Sequence, residues 1–65
     1  MVWEKKGDVY SAEGKYGSFR IIKRGTFYYP EFSTNDFKWG FRMPRRKYIA
    51  DAKAICEKNR YWEKA

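Results

Sequence analysis

The chain has 65 residues and a formal net charge of +7, and 22% of its residues are aromatic. A chain of this length forms one small domain that buries only about 60% of the surface exposed by its unfolded form. It has no histidine, the commonest general base, and its single cysteine excludes an intrachain disulfide and a cysteine-rich zinc site. We therefore expect a binding domain and not an enzyme, with no catalytic residue, cofactor, metal or small-molecule substrate.

Residues 1–17 predict an arm that holds one short strand at most, since three glycines interrupt any alternation of apolar residues. Residues 18–43 predict an antiparallel sheet of three strands. The first strand runs from Ser18 to Lys23 and the second from Thr26 to Phe32, and the glycine between them suits a tight reversal. Pro30 has no N–H to donate, so we expect the second strand at a sheet edge or with a bulge at this point.

The third predicted strand, from Phe37 to Met43, has the clearest alternation in the chain. A period of two puts its large apolar residues on one face and its basic residues on the other. In the first strand, the same period places Phe19 and Ile21 in the core and Ile22 opposite them. We therefore expect the solvent-facing side of the sheet to carry four cations with a tyrosine between them: Arg20, Arg24, Lys38, Arg42 and Tyr28.

A helical pattern begins after Pro44. Residues 46–62 contain neither Gly nor Pro, and their apolar residues recur on one stripe of a helix: Ile49, Ala52, Ile55, Cys56 and Trp62. Because Cys56 lies on this stripe, we expect a small buried hydrophobic residue and not a reactive thiol. Together these elements predict an α+β fold, in which a three- or four-stranded antiparallel sheet packs against one C-terminal helix.

Most of the positive charge lies in two short windows that contain no acid. Residues 15–24 carry four cations and residues 38–47 carry five, which accounts for nine of the fifteen Lys and Arg residues. A surface that only keeps a protein soluble usually mixes the two signs of charge. The concentration of one sign therefore predicts a basic binding surface.

Three consecutive cations, Arg45, Arg46 and Lys47, follow Pro44 and allow two interpretations. If the helix begins at these residues, the cations lie at the positive end of its dipole, which lowers stability unless an anion such as phosphate binds there. If the helix begins later, near Tyr48, the three cations form a basic loop. The sequence leaves both interpretations open.

The aromatic residues are more numerous than so small a core can bury, and several should be exposed: Tyr10, Tyr16, Tyr28, Tyr48, Tyr61 and Trp62. Tyr and Trp are preferred anchors of protein interfaces, and they also stack on nucleic-acid bases. This set predicts a binding role without naming the partner.

Three segments carry a resemblance to a known architecture: Ser18 to Gly25, Lys38 to Arg42, and Ile49 to Lys58. The order β-β-β-α with a basic sheet face resembles the DNA-binding domains of the AP2 type and of the amino-terminal, arm-binding type found in integrases. The resemblance implies that the sheet enters the major groove of DNA while the helix packs behind it. The chain also looks like small accessory proteins of phages and mobile elements, which often act by binding one host protein.

No apolar run approaches the roughly 20 residues of a membrane-spanning helix, and the first residues do not have the pattern of a signal peptide. The low cysteine content is typical of a reducing compartment. We therefore expect a cytoplasmic protein that does not contact membranes.

These features predict a nucleic-acid-binding module, with DNA favoured over RNA as the partner. Phosphates would be contacted by the sheet face and the helix start, and Tyr28 or Ile22 would touch bases or sugars. The residues predicted to bind are Arg20, Arg24, Tyr28, Lys38, Arg42, Arg45, Arg46 and Lys47. The alternative is a phage-type accessory protein that uses the same surface to bind and modulate an acidic host protein.

Overall fold

A computed structural model of the protein describes residues 2–14 and 16–59. The elements in chain order are β1 (Glu4–Lys6), β2 (Val9–Glu13), β3 (Gly17–Arg24), β4 (Phe27–Thr34), β5 (Gly40–Arg42) and α1 (Ile49–Lys58). The strands form one antiparallel sheet in which sequence neighbours are also spatial neighbours. The predicted α+β class is confirmed, but the sheet has five strands instead of three or four.

The additional strands, β1 and β2, come from the segment that was predicted to be an arm. Gly7 has a φ of +58° and lies in the two-residue turn that joins the two strands. Strand β2 then pairs along its whole length with β3, which places Tyr10 beside Ile21 and Ala12 beside Phe19. Gly7, one of the glycines that interrupt the apolar pattern, therefore lies in a hairpin turn that requires a positive φ.

Helix α1 packs against one face of the sheet, mainly on β4 and β3. Its two buried residues, Ala52 and Cys56, are small and meet a core built from Phe19, Ile21 and Phe32. We call this side of the sheet the covered face. The opposite side, which no element within residues 2–14 and 16–59 covers, is the open face.

Strand β4 lies inside the sheet and pairs with β3 one residue to one through Pro30, so neither the edge position nor the bulge predicted at Pro30 is present. The carbonyl oxygen of Pro30 accepts a hydrogen bond from the backbone N–H of Met43 at 3.0 Å. In an extended strand the nitrogen and carbonyl of one residue point to the same side. The nitrogen of Pro30, which carries no hydrogen, therefore faces the chain just beyond the end of β5. The pairing of Pro30 with β3 on its other side is unaffected.

The third predicted strand is much shorter than expected, because β5 covers only Gly40–Arg42 and not residues 37–43. Phe37 has a φ of +59°, outside the extended region, so it cannot continue a strand. The preceding residues and Phe37 form a turn. Met43 is buried in the core, as the alternation predicted.

The helix also differs from its predicted range of 46–62. It begins at Ile49, with Tyr48 as an N-cap residue whose side chain makes no capping hydrogen bond, and it ends at Lys58. Asn59 closes the last turn, because its side-chain amide donates to the carbonyl oxygen of Ile55 at 2.8 Å. The predicted exposed aromatics at positions 61 and 62 lie outside the described residues. Among the described residues, no helix has the length and apolar character that crossing a membrane requires.

Candidate functional site

The middle of the open face is not purely basic. The strand register aligns one row of side chains across all five strands: Glu4, Ser11, Arg20, Glu31 and Arg42. The guanidinium of Arg20 donates to the Glu31 carboxylate at 2.8 Å, and Glu31 separates Arg20 from Arg42. The expectation of a basic face without interspersed acids is therefore wrong in this row, since Glu31 on β4 faces Arg20 directly.

The two ends of the open face differ in character. Towards the β2–β3 and β4–β5 connections, which are distant from Gly25, the paired positions carry an acid and small residues: Glu13, Ser18, Ser33 and Gly40. Towards the β3–β4 turn they carry cations with apolar and aromatic side chains: Lys6, Val9, Ile22, Tyr29, Arg24 and Phe27. Charge and apolar surface thus coincide at one end of the sheet.

Two of the predicted arginines, Arg24 from β3 and Arg42 from β5, border the same recess at this end, which has a volume of about 110 Å³. Ile22, Tyr29 and the carboxylate-bearing Glu31 line the recess with them, and Tyr29 is 36% exposed. Pockets that enclose a small molecule are several times larger, on the order of 300–1,000 Å³. The recess is therefore suited to part of an extended ligand.

Neither Arg24 nor Arg42 forms a salt bridge within the described residues, and both are exposed. Arg20 differs, because its charge is already balanced by Glu31. Of the three predicted sheet arginines, two are therefore available to an incoming anion, and both border this recess.

Arg45 joins this end from the loop before α1. Its guanidinium carbon lies 4.3 Å from the centroid of the Phe27 ring, in cation–π contact. The loop is held beside β4 by two backbone hydrogen bonds between Arg46 and Tyr28, of 2.8 and 2.9 Å. Since α1 begins only at Ile49, the three consecutive cations form a basic loop, which was the second of the two interpretations.

We define the basic end as the group formed by the three arginines and the side chains between them: Arg24, Arg42, Arg45, Ile22, Phe27 and Tyr29. Arg46 and Lys47 are exposed in the adjoining loop but lie outside this group. The structure therefore brings three of the eight predicted binding residues together.

Tyr28 is not between the arginines, so that prediction is wrong. It pairs with Lys23 on the covered face, and its ring centroid lies 6.3 Å from that of Tyr10. The reason is the two-residue turn at Gly25, which pairs Lys23 with Tyr28. This register differs by one residue from the expected one, and it places the side chain of Tyr28 on the covered face instead of the open face. Tyr29 occupies the place that was predicted for Tyr28.

Lys38 lies in the β4–β5 turn and not on the sheet face, which corrects its predicted position. Its backbone N–H donates to the carboxylate of Asp36 at 3.0 Å, and the Thr34 hydroxyl donates to the same oxygen at 2.7 Å. The hydrogen bond from Thr34, followed by that from Lys38, lowers the pKa of the Asp36 carboxyl below its ordinary value. The charged form of Asp36 thus holds the turn in shape.

This turn presents two aromatic residues that were expected in the core. Phe37 is 82% exposed, and Trp39 is 46% exposed while its ring packs 5.5 Å from that of Phe41. For a residue that carries a Cβ, a backbone in the left-handed region is roughly 1–2 kcal/mol less stable than a right-handed one. Phe37 is therefore in an unfavourable conformation. Alternation alone could not reveal this, because it assumes that the strand is continuous.

Cys56 is fully buried against the core, and burial, with a smaller effect of Glu57, raises the pKa of its thiol to about 12. It therefore remains protonated, as expected of a small hydrophobic residue. Among the described residues, no three His, Cys, Asp or Glu side chains are grouped so that they could hold a metal ion.

No protein-family model matches the chain, and no curated protein or solved structure is significantly similar to it. The resemblance to sheet-based DNA-binding domains therefore stays a prediction from the sequence. The case for a function rests on the geometry of the open face.

Proposed function

We propose that the protein binds nucleic acid through the basic end of the open face. The observation that supports this most is the convergence of Arg24 and Arg42, from strands that are not adjacent, on one recess around Tyr29. A planar guanidinium pairs well with phosphate oxygens, and an exposed tyrosine ring offers a surface for a base or a sugar.

A surface that serves only solubility would not need this arrangement. Cations placed for solubility can lie anywhere outside the core, and those opposite an acid, such as Arg20 opposite Glu31, have their charge balanced. At the basic end, Arg24 and Arg42 line one recess with Ile22 and Tyr29, and Arg45 lies over the neighbouring ring of Phe27. Alternating phosphates and bases have this same combination of negative charge and apolar surface.

The test compares two double variants by fluorescence anisotropy with a labelled oligonucleotide at low salt. Arg24→Gln/Arg42→Gln removes two cations from the basic end, and Lys23→Gln/Lys58→Gln removes two from the covered side of the sheet. Both variants lower the net charge from +7 to +5, because each replaces two cations by neutral residues. We expect a loss of affinity of roughly tenfold or more for the arginine variant and of less than about twofold for the control.

Equal losses in the two variants would show that only net charge attracts the oligonucleotide, and would contradict a site at the basic end. If the wild-type protein binds neither DNA nor RNA oligonucleotides at low salt, the proposed function is wrong. An acidic protein partner, which would use the same arginines, would then be the better proposal.

A further inference from the structure

The turn between β4 and β5 holds its aromatic side chains on an ordered backbone. The N–H of Thr34 donates to the carbonyl oxygen of Trp39 at 2.8 Å, and the N–H of Phe37 donates to the carbonyl oxygen of Thr34 at 3.0 Å. The carboxylate of Asp36 accepts two further hydrogen bonds inside the turn. The rings of Phe37 and Trp39 are therefore presented to solvent without the entropy cost of ordering a loose loop.

Phe37 has no evident structural reason to be phenylalanine. Its φ of +59° favours Gly or Asn, and its ring is 82% exposed, so it adds little to the core. Strained backbone conformations of this kind cluster at ligand-binding and active sites. An exposed ring at such a position is what a ligand-stacking role requires.

The turn and the basic end are continuous. A shallow depression follows β5 from Arg42 over Gly40 to Lys38, Trp39 and Phe37. Arg42 borders both this depression and the recess at the basic end, and so does Glu31, whose carboxylate is paired with Arg20. A chain of phosphates could therefore pass from the arginines to Lys38 while its bases meet the two rings.

The width of the sheet favours a single strand over a duplex. Neighbouring strands lie about 4.8 Å apart, so five strands extend over about 19 Å between the outer backbones, whereas the major groove is about 12 Å wide. The bases of a duplex are also stacked on one another and present no free ring faces. A single strand is narrow enough to follow β5, and its bases can turn towards the protein.

We infer that the ligand is single-stranded nucleic acid, with phosphates held by Arg24, Arg42 and Lys38 and bases stacked on Phe37 and Trp39. This inference rests on the proposed function and specifies the form of nucleic acid that is bound. It gives the exposed rings of the β4–β5 turn a direct role in binding.

The first test uses a labelled single-stranded DNA oligonucleotide and the corresponding blunt duplex. The variant Phe37→Gly removes the ring and supplies the residue that the backbone conformation prefers. The matched control Tyr48→Ser also removes an exposed ring and supplies a preferred N-cap residue, on the side of α1. We expect Phe37→Gly to weaken single-strand binding about fivefold or more, with less than about a twofold change for the control.

We also expect the wild-type protein to prefer the single strand to the duplex. A preference for the duplex, or equal effects of Phe37→Gly and Tyr48→Ser, would overturn the inference. The proposed function would still stand in that case if the Arg24→Gln/Arg42→Gln variant had lost affinity. Absence of any oligonucleotide binding would overturn both.

A second readout is independent of the stability of the Phe37 variant. Stacking of a base on Trp39 quenches its fluorescence, so titration with oligo-dT should reduce the tryptophan emission of the wild-type protein. The quenching should disappear in Trp39→Tyr and remain in Trp3→Tyr, whose substituted ring packs on the covered face. Full quenching in Trp39→Tyr would contradict stacking at this turn.

Discussion

On the covered face, the lysines Lys5 and Lys53 both lie over the ring of Tyr10, with their ammonium nitrogens 5.7 and 5.4 Å from its centroid. On the open face, Arg24 and Arg42 lie around a recess and form no salt bridge within the described residues. Both faces thus combine cations with aromatic rings. The two lysines of the covered face contact a ring of their own domain, whereas Arg24 and Arg42 on the open face remain accessible to a ligand.

A similar contrast exists within the open face itself. Arg20 is paired with Glu31, while Arg42 lies on the other side of the same carboxylate without a salt bridge of its own. The number of cations on a surface therefore describes its binding capacity poorly. What matters is which cations are already balanced by a neighbouring acid.

The largest expected effect is a difference in how much a truncation on each face lowers the free energy of unfolding. Phe19→Ala removes a fully buried ring from the covered face and should cost about 3–5 kcal/mol, which is close to the whole stability of a domain this small. Ile22→Ala, at a half-buried position on the open face, should cost only about 1–2 kcal/mol. Urea unfolding followed by circular dichroism measures both. Equal costs would show that the open face is also packed as a core.

The second prediction concerns the thiol of Cys56, which lies below the covered face. Its pKa is raised to about 12 from the ordinary 9.0, so the native thiolate is about a thousandfold rarer than in the unfolded chain at neutral pH. We expect iodoacetamide to modify Cys56 only after denaturation. The raised pKa stabilises the fold fully below pH 9, and this contribution is lost as the pH rises towards 12. Rapid alkylation of the native protein would contradict the burial of Cys56.

A smaller effect is expected from Glu31→Gln, which removes the acid between two arginines. We expect nucleic-acid affinity to rise roughly threefold, because Arg20 is released and the repulsion of phosphates is removed. The loss of the partly exposed ion pair should lower stability by less than about 1 kcal/mol. Glu57→Gln makes the same change of charge on α1, and an equal gain in that control would show that the position of Glu31 is unimportant.

Much of the covered face could be predicted from the sequence. The period of two placed Phe19 and Ile21 in the core, and the helical stripe placed Ala52 and Cys56 there, since burial follows directly from periodicity. The helix start at Ile49 was harder, because Tyr48 offers no capping hydrogen bond that would mark it.

The open face was predicted less well because it depends on register. A two-residue turn at Gly25 pairs Arg24 with Phe27, and counting onwards from this pair places Glu31 opposite Arg20. That count was available from the sequence and would have shown both the acid in the middle row and the position of Tyr29. The left-handed conformation of Phe37 could not be predicted from the sequence, because hydrogen bonds made by Thr34 and Asp36 determine it.

The most direct measurement is the salt dependence of oligonucleotide binding. If Arg24, Arg42 and Lys38 each meet one phosphate of a single strand, the logarithm of affinity should fall with the logarithm of salt at a slope of about −2. The slope should shrink to about −0.7 in Arg24→Gln/Arg42→Gln and stay near −2 in Lys23→Gln/Lys58→Gln. A wild-type slope near zero, or equal slopes in the two variants, would contradict a phosphate-binding site at the basic end.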